Sequence, residues 1–105
     1  MPDRPWKHEE RAVARLLGGS RYPANSGGRV DVEGHRFVCQ VKYVRRLSLA
    51  HLEALALELA ELGRERSKVG IVVVKRRAGR GQATPRLIVM TEAVWLKLAV
   101  NPHRA

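Results

Sequence analysis

A chain of 105 residues can enclose one hydrophobic core and is too short for two. Its apolar content of 45% is that of a globular protein, and no apolar run reaches the length of a membrane span. Twenty basic residues against 10 acidic ones leave a net charge of +10, which argues against an acidic-surface role and for a polyanionic partner, nucleic acid before an anionic membrane.

Arginine outnumbers lysine three to one, a bias suited to bidentate phosphate contacts. The single Cys39 has no partner for an internal disulfide and reads as a small buried hydrophobe in a reducing compartment. Met1-Pro2-Asp3-Arg4 is not followed by the apolar stretch of a signal peptide, so a cytoplasmic location is expected.

Asp3 can cap a first helix with Pro5 in its first turn, and Trp6, Val13, Leu16 and Leu17 supply its apolar face. Glu9 and Glu10 flank that face, and periodicity does not choose which of them looks inward. Gly18-Gly19 ends the helix, and the turn formers from Tyr22 to Gly28 make a loop. Val30-Asp31-Val32 and Phe37 to Val44 then read as a hairpin, its two-residue turn at Glu33-Gly34 or Gly34-His35.

Ser48 is a helix cap, with Leu47 and Leu52 spaced as a hydrophobic staple, and the helix is expected to run to Leu62 and stop at Gly63. Leu52, Leu55, Leu59 and Leu62 form one stripe. Leu49, Leu57, Ala54, Ala56 and Ala60 widen it, so the helix is covered on more than one side, by its own core or by a second subunit. Val69 to Val74 is an apolar run of the kind found in a central strand covered on both faces. A basic, glycine-punctuated stretch from Lys75 to Arg86 follows, then a strand from Leu87 to Met90. Thr91 caps a last short helix reaching Val100, before Asn101-Pro102. The expected order is α-β-β-α-β-β-α, an α/β arrangement of helices on a mixed sheet within a single domain.

Alternation gives the hairpin a chemical face. Gln40 and Lys42 point the same way along their strand, and either turn pairs odd residues with even ones, which puts Asp31 beside them. A carboxylate, an amide oxygen and an ammonium then share one patch. Hard oxygen donors of this kind suit Mg²⁺, and a neighbouring lysine can orient water or balance charge on a phosphoryl transition state. A solvated hairpin face is the alternative.

Two other chemistries fit poorly. The four histidines, His8, His35, His51 and His103, lack zinc-ligand spacing. Gly79-Arg80-Gly81 lacks the ending of a phosphate-binding P-loop, and reads as a solvated loop or an arm on DNA.

These residues, in this order, resemble the PD-(D/E)xK nuclease superfamily, and within it the archaeal-type Holliday junction resolvases and their phage relatives. The resemblance runs over residues 6 to 98. It rests on Glu10-Arg11 and the apolar residues after it, on Ser26 in the loop, on Val30-Asp31-Val32, and on Gln40-Val41-Lys42 where the family carries an E-V-K-like triplet. It implies a restriction-endonuclease-like mixed sheet flanked by helices. It also implies Asp31 as the metal-bridging carboxylate, Glu10 as the helix acid with Glu9 as its rival, and Lys42 as the catalytic lysine. Ser26 would position the scissile phosphate, and the Val41 carbonyl would complete the metal shell. Gln40 departs from the family's glutamate: its oxygen can still ligate Mg²⁺, but it brings no charge.

The implied activity is Mg²⁺-dependent endonucleolytic cleavage of branched DNA, in recombination and repair, with Mn²⁺ as a possible substitute. A two-fold homodimer would match the symmetry of a junction. Arg29, Arg45, Arg46, Lys75, Arg76, Arg77 and Arg80 are the expected phosphate contacts. The alternatives are a catalytically silent DNA-binding module of the same fold and a nuclease acting on ordinary duplex or nicked DNA.

Overall fold

Helices and strands follow the expected order with one short strand added. The computed structural model describes residues 5–21 and 30–100. Asp3, Ser26, Arg29 and Asn101-Pro102 lie outside the described residues, as does most of the loop that leads into the hairpin. The elements are α1 (Pro5–Leu16), β1 (Ser20–Arg21), β2 (Val32–Glu33), β3 (Phe37–Val44), α2 (Leu49–Arg66), β4 (Val69–Arg76), β5 (Arg86–Val89) and α3 (Glu92–Trp95), which passes into a π-helical turn, Leu96–Val100.

The strands form one five-stranded mixed sheet in sequential order. β3 and β4 are parallel, joined by α2 as a crossover, and the other neighbours are antiparallel. The fold is therefore α/β, with helices on both faces of the sheet.

Alternation along β3 and β4 divides the core in two. Val38, Val72 and Val74 pack under Leu55, Ala56, Leu59 and Leu62 of α2. On the opposite face, Cys39, Val41, Ile71 and Val73 pack against Val13 and Ala14 of α1. A strand covered on both faces must be apolar at every position, and Ile71 to Val74 are all buried. The polar residues of this strand, Lys75 and Arg76, fall at its C-terminal end, where burial ends.

α2 begins as its sequence requires: Ser48 Oγ accepts the His51 N–H at 3.0 Å, and Leu47 and Leu52 both lie against the α2-side core. It does not stop at Gly63. The helix continues to Arg66 and ends on Ser67, whose φ of 55° is left-handed. Gly63 serves packing instead, because a Cβ there would lie 2.6 Å from the backbone N of Gly70. The second outcome concerns Leu55 and Leu59 of α2, which the sequence left to either its own core or a second subunit. Both are core residues, Leu59 fully buried, and they offer nothing to a partner. Among the described residues the large exposed apolar side chains lie elsewhere, at Leu16 of α1, expected on that helix's apolar face, at Leu49 and Leu57, and on Leu87, Ile88, Trp95, Leu96 and Val100. Among the described residues, no helix is long and apolar enough to cross a membrane.

Candidate functional site at the Asp31 edge

The hairpin turn falls later than either position expected from the glycine. Val32 pairs with Cys39, Glu33 pairs with Val38, and the Gly34 N–H donates to the Phe37 carbonyl at 2.8 Å, so His35-Arg36 forms the turn. Sliding a two-residue turn by one position changes the register by two, which keeps odd residues opposite even ones. The parity argument thus survives for Val32 and Glu33.

It does not survive for Asp31. The Asp31 N–H also donates to the carbonyl of Cys39, at 2.9 Å, so Asp31 and Val32 both face one residue of β3. This is a β-bulge. Its signature is visible in the packing: Val30 joins the α2-side core and Val32 the α1-side core, although residues two apart in a regular strand share a face. The extra residue is Asp31, which is turned out of the alternation. Its Oδ2 accepts the Val41 N–H at 2.8 Å, a bond that a backbone carbonyl would make in an unbroken ladder. Asp31 thereby grips β3 on either side of Gln40, at Cys39 and at Val41.

Charges gather around this point. Burial is the largest influence on Asp31 and pushes its carboxyl above the usual range, against the Val41 hydrogen bond and the positive charges of Lys42 and Arg21. Glu10 is buried on α1, the helix over the Cys39 and Val41 face. Its carboxyl is also raised, first by burial and also by the charge of Asp31, while the Arg21 hydrogen bond and charge pull it back. Arg21 Nε donates to Glu10 Oε1 at 2.6 Å, and its guanidinium lies over the Trp6 ring, 5.8 Å from the centroid. Burial first, then the charges of Asp31 and Glu10, push the Cys39 thiol up to about 12, so it stays a protonated core residue.

The structure separates the two helix acids. Glu9 binds Arg86 of β5 through both carboxylate oxygens, at 2.6 and 3.1 Å. It ties α1 to the far edge of the sheet and is occupied there. Glu10 is the one that shares a field with Asp31. Gln40 and Lys42 alternate onto the other face, under α2, so Glu10 and Lys42 belong to opposite layers and meet only through Asp31 at the edge between them.

Gln40 carries an anomaly. Its Oε1 is buried and has no hydrogen-bond partner among the described residues. A buried acceptor left unsatisfied costs about 1–3 kcal/mol, so the group calls for a partner such as a water or an ion. The donors that can share one ion here are Asp31, Gln40 Oε1 and the Val41 carbonyl, which points the same way as the Val41 N–H. Glu10 lies on the opposite face and acts on them only through the field of Asp31. All three donors are hard oxygens, a set of the kind that suits Mg²⁺. Among the described residues, no group of three or more His, Cys, Asp or Glu side chains is placed to hold a metal; this set has one carboxylate.

Arg21 is the residue that sequence reasoning missed. Nothing in Ser20-Arg21 announces a strand, and only the added strand β1 brings its guanidinium to Glu10. A basic residue two places beyond the Gly18-Gly19 break was the available signal.

The basic residues form a second feature. Because β3 and β4 are parallel, their C-terminal ends lie together: Val44 pairs with Arg76, and the Arg77 N–H donates to the Val44 carbonyl at 2.8 Å. Arg45 and Arg46 therefore meet Arg76 and Arg77, some thirty residues away in the chain, at the end of the sheet nearest Lys42. Arg45, Arg46, Arg76, Arg77 and Arg80 are exposed; Arg77 lies over the Tyr43 ring, and Lys75 is turned inward to the Thr84 carbonyl at 3.0 Å. Each phosphate neutralised steepens the fall of log affinity with log salt by about 0.9. Neutralising Arg45, Arg46, Arg76 and Arg80 together should flatten the salt dependence of DNA binding, measured by fluorescence anisotropy; an unchanged slope would leave this end a solvated surface.

The fold and site together define a small α/β protein with a mixed sheet, a bulge that turns the half-buried Asp31 towards β3, the buried Glu10 of α1 near it, and a basic end beside them. No family model, curated protein or solved structure matches the chain.

Proposed function

We propose that the protein is a metal-dependent endonuclease of the restriction-endonuclease-like, PD-(D/E)xK type, acting on branched DNA in the manner of a Holliday junction resolvase. The observation that carries this reading is the buried Oε1 of Gln40, without a hydrogen-bond partner among the described residues, on the residue flanked by the two whose backbone groups Asp31 holds. Mg²⁺, held by Asp31, Gln40 and the Val41 carbonyl with Glu10 in support, would supply Lewis-acid stabilisation of the phosphoryl charge. Lys42 lies within the field of Asp31, where an ammonium can orient water or offset developing negative charge. Arg21 offsets the charge of Glu10 and, with Trp6 beneath it, keeps that carboxylate in place. The arginines at the joined ends of β3 and β4 offer a track for the phosphate backbone. Two copies about a two-fold axis would address both strands of a junction.

The test is cleavage of a four-way junction beside a linear and a nicked duplex of the same sequence, with Mg²⁺ or Mn²⁺. Junction-selective symmetric nicks are expected. Cleavage of all substrates alike would favour a nuclease for ordinary duplex. Binding without cleavage would favour the silent module, a reading supported by Gln40 at the glutamate position and by the guanidinium already bound to Glu10.

A substitution at Gln40 probes the same point. Gln40→Glu adds a second carboxylate to the donors beside Asp31, and the charge of a divalent ion dominates such a site. The variant should cleave at lower Mg²⁺ concentration than the parent and be less stable in EDTA, where the added charge has no counterion. Identical Mg²⁺ titrations and melting curves for the two proteins would remove Gln40 from the site.

A further inference from the structure

The opposite end of the sheet holds a second basic feature that the nuclease reading does not use. A cavity of about 530 Å³ opens between the His35-Arg36 turn, the end of α2, the start of β4 and the π-helical turn. Its walls carry Arg36, Arg64, Lys68 and Lys97, and no carboxylate lines it. Two of these cations are already engaged: Lys68 Nζ lies 2.6 Å from Glu33, and Arg64 is paired with Glu61. Arg36 and Lys97 have no carboxylate partner among the described residues.

Arg36 is held in place. Its carbonyl accepts the Val69 N–H at 2.8 Å, and its guanidinium lies over the Phe37 ring, 5.9 Å from the centroid. Lys97 approaches from the other side on the π-helical turn. The negative end of α2 faces this region, and two of its last four carbonyls, Gly63 and Arg64, accept the N–H groups of Lys68 and Ser67 respectively. Between the cations the lining is uncharged, with Ala60, Gly63, Val69 and the buried Val94.

We propose that this cavity binds the terminal phosphate of a nucleotide, its two unpaired cations meeting the phosphate and its apolar lining the nucleoside. Two positive charges match a phosphomonoester, which carries nearly two negative charges at neutral pH, better than the single charge of a backbone diester. The volume falls within the range of roughly 300–1,000 Å³ typical of small-ligand sites. The nucleotide is either free or the 5′ end of a strand. The cavity lies at the start of β3, whereas Asp31 faces the middle of that strand at Cys39 and Val41, and no residue that lines the cavity belongs to the Asp31 site.

The experiment measures affinity at 150 mM salt for AMP against adenosine, and for a 5′-phosphorylated single strand against its 5′-hydroxyl twin, with inorganic phosphate as a third probe. The salt level is set by the Debye length of about 8 Å there, which damps the attraction of the protein's general positive charge. At least one phosphorylated ligand should bind about tenfold or more tightly than its partner, the weight of one charge-assisted hydrogen bond. Which pair shows the preference identifies the source. Arg36→Gln with Lys97→Gln should abolish it, and neutralising Arg76 and Arg77 should leave it intact. Both altered positions are exposed, so the fold should persist; should the double variant fail to fold, Lys97→Gln alone must reduce the preference. No phosphate preference, a preference that survives these changes, or inorganic phosphate binding as tightly as AMP would overturn the proposal.

Discussion

Asp31→Asn should abolish metal-dependent cleavage, by at least ~100-fold, and at the same time make the metal-free protein more stable at neutral pH. The two effects share one cause. Burial raises the Asp31 carboxyl above its ordinary value, so the folded state prefers the proton more than the unfolded state does. A carboxyl with a raised folded pKa contributes its stability below its unfolded pKa, near 3.8, and loses it as the pH rises through the folded pKa. At pH 7 the ionised group is therefore a liability, increased by the neighbouring charge of Glu10.

Asparagine keeps an oxygen for the Val41 N–H and removes the charge. Its melting temperature should exceed the parent's at pH 7, and the difference should vanish as the pH is lowered towards 3.8. Mg²⁺ should raise the melting temperature of the parent and leave that of Asp31→Asn unmoved, since only a ligand bound to the folded state stabilises it. Lys42→Ala should lose cleavage to a similar extent and retain the Mg²⁺ shift. An Asp31→Asn protein that cleaves normally, or that is destabilised across the whole pH range, would remove Asp31 from the catalytic role.

What the sequence revealed, and what it concealed, divides along physical lines. Elements specified by local chemistry were legible. Ser48 and Thr91 cap their helices as read, and the apolar run at Val69 is a strand buried on both faces. The odd-to-even pairing of the hairpin was legible because every two-residue turn gives the same parity.

Features set by backbone geometry between distant elements were not. The bulge at Asp31 adds one residue to a strand without altering its composition, so the alternation argument placed the carboxylate on the Gln40 face when it sits in the plane of the sheet. Gly63 reads as a helix stop because glycine is common there. Its actual role depends on Gly70, seven residues later and on another element. The leucines of α2 carried no mark that distinguishes a core from a subunit interface. Only the sheet beneath them decides it.

Gly70→Ala should be the most damaging glycine-to-alanine change among the described residues. A Cβ at Gly70 would lie 1.6 Å from the Leu59 carbonyl oxygen and 2.3 Å from its carbon, distances that no side-chain rotation can relieve because both atoms are backbone. Either β4 leaves its place between β3 and β5, or α2 lifts from the sheet. Leu59 is fully buried at the centre of the α2-side core, so lifting α2 opens the contacts of Leu55, Ala56 and Leu62 together. Overpacking of a well-filled core costs 1–3 kcal/mol in typical cases, and an inflexible backbone clash belongs at or above the top of that range. A loss of about 3 kcal/mol in a domain of this size lowers the melting temperature by roughly 12 °C or more. Gly79→Ala is the control: nothing lies within 4 Å of its Cβ position, and its effect should stay within about 0.5 kcal/mol. The consequence reaches the candidate site, since α2 covers the face of β3 onto which Gln40 points and keeps its Oε1 from water. Thermal unfolding followed by circular dichroism would measure both variants; a Gly70→Ala protein melting within a few degrees of the parent would mean that α2 does not rest on β4 as closely as the structure has it.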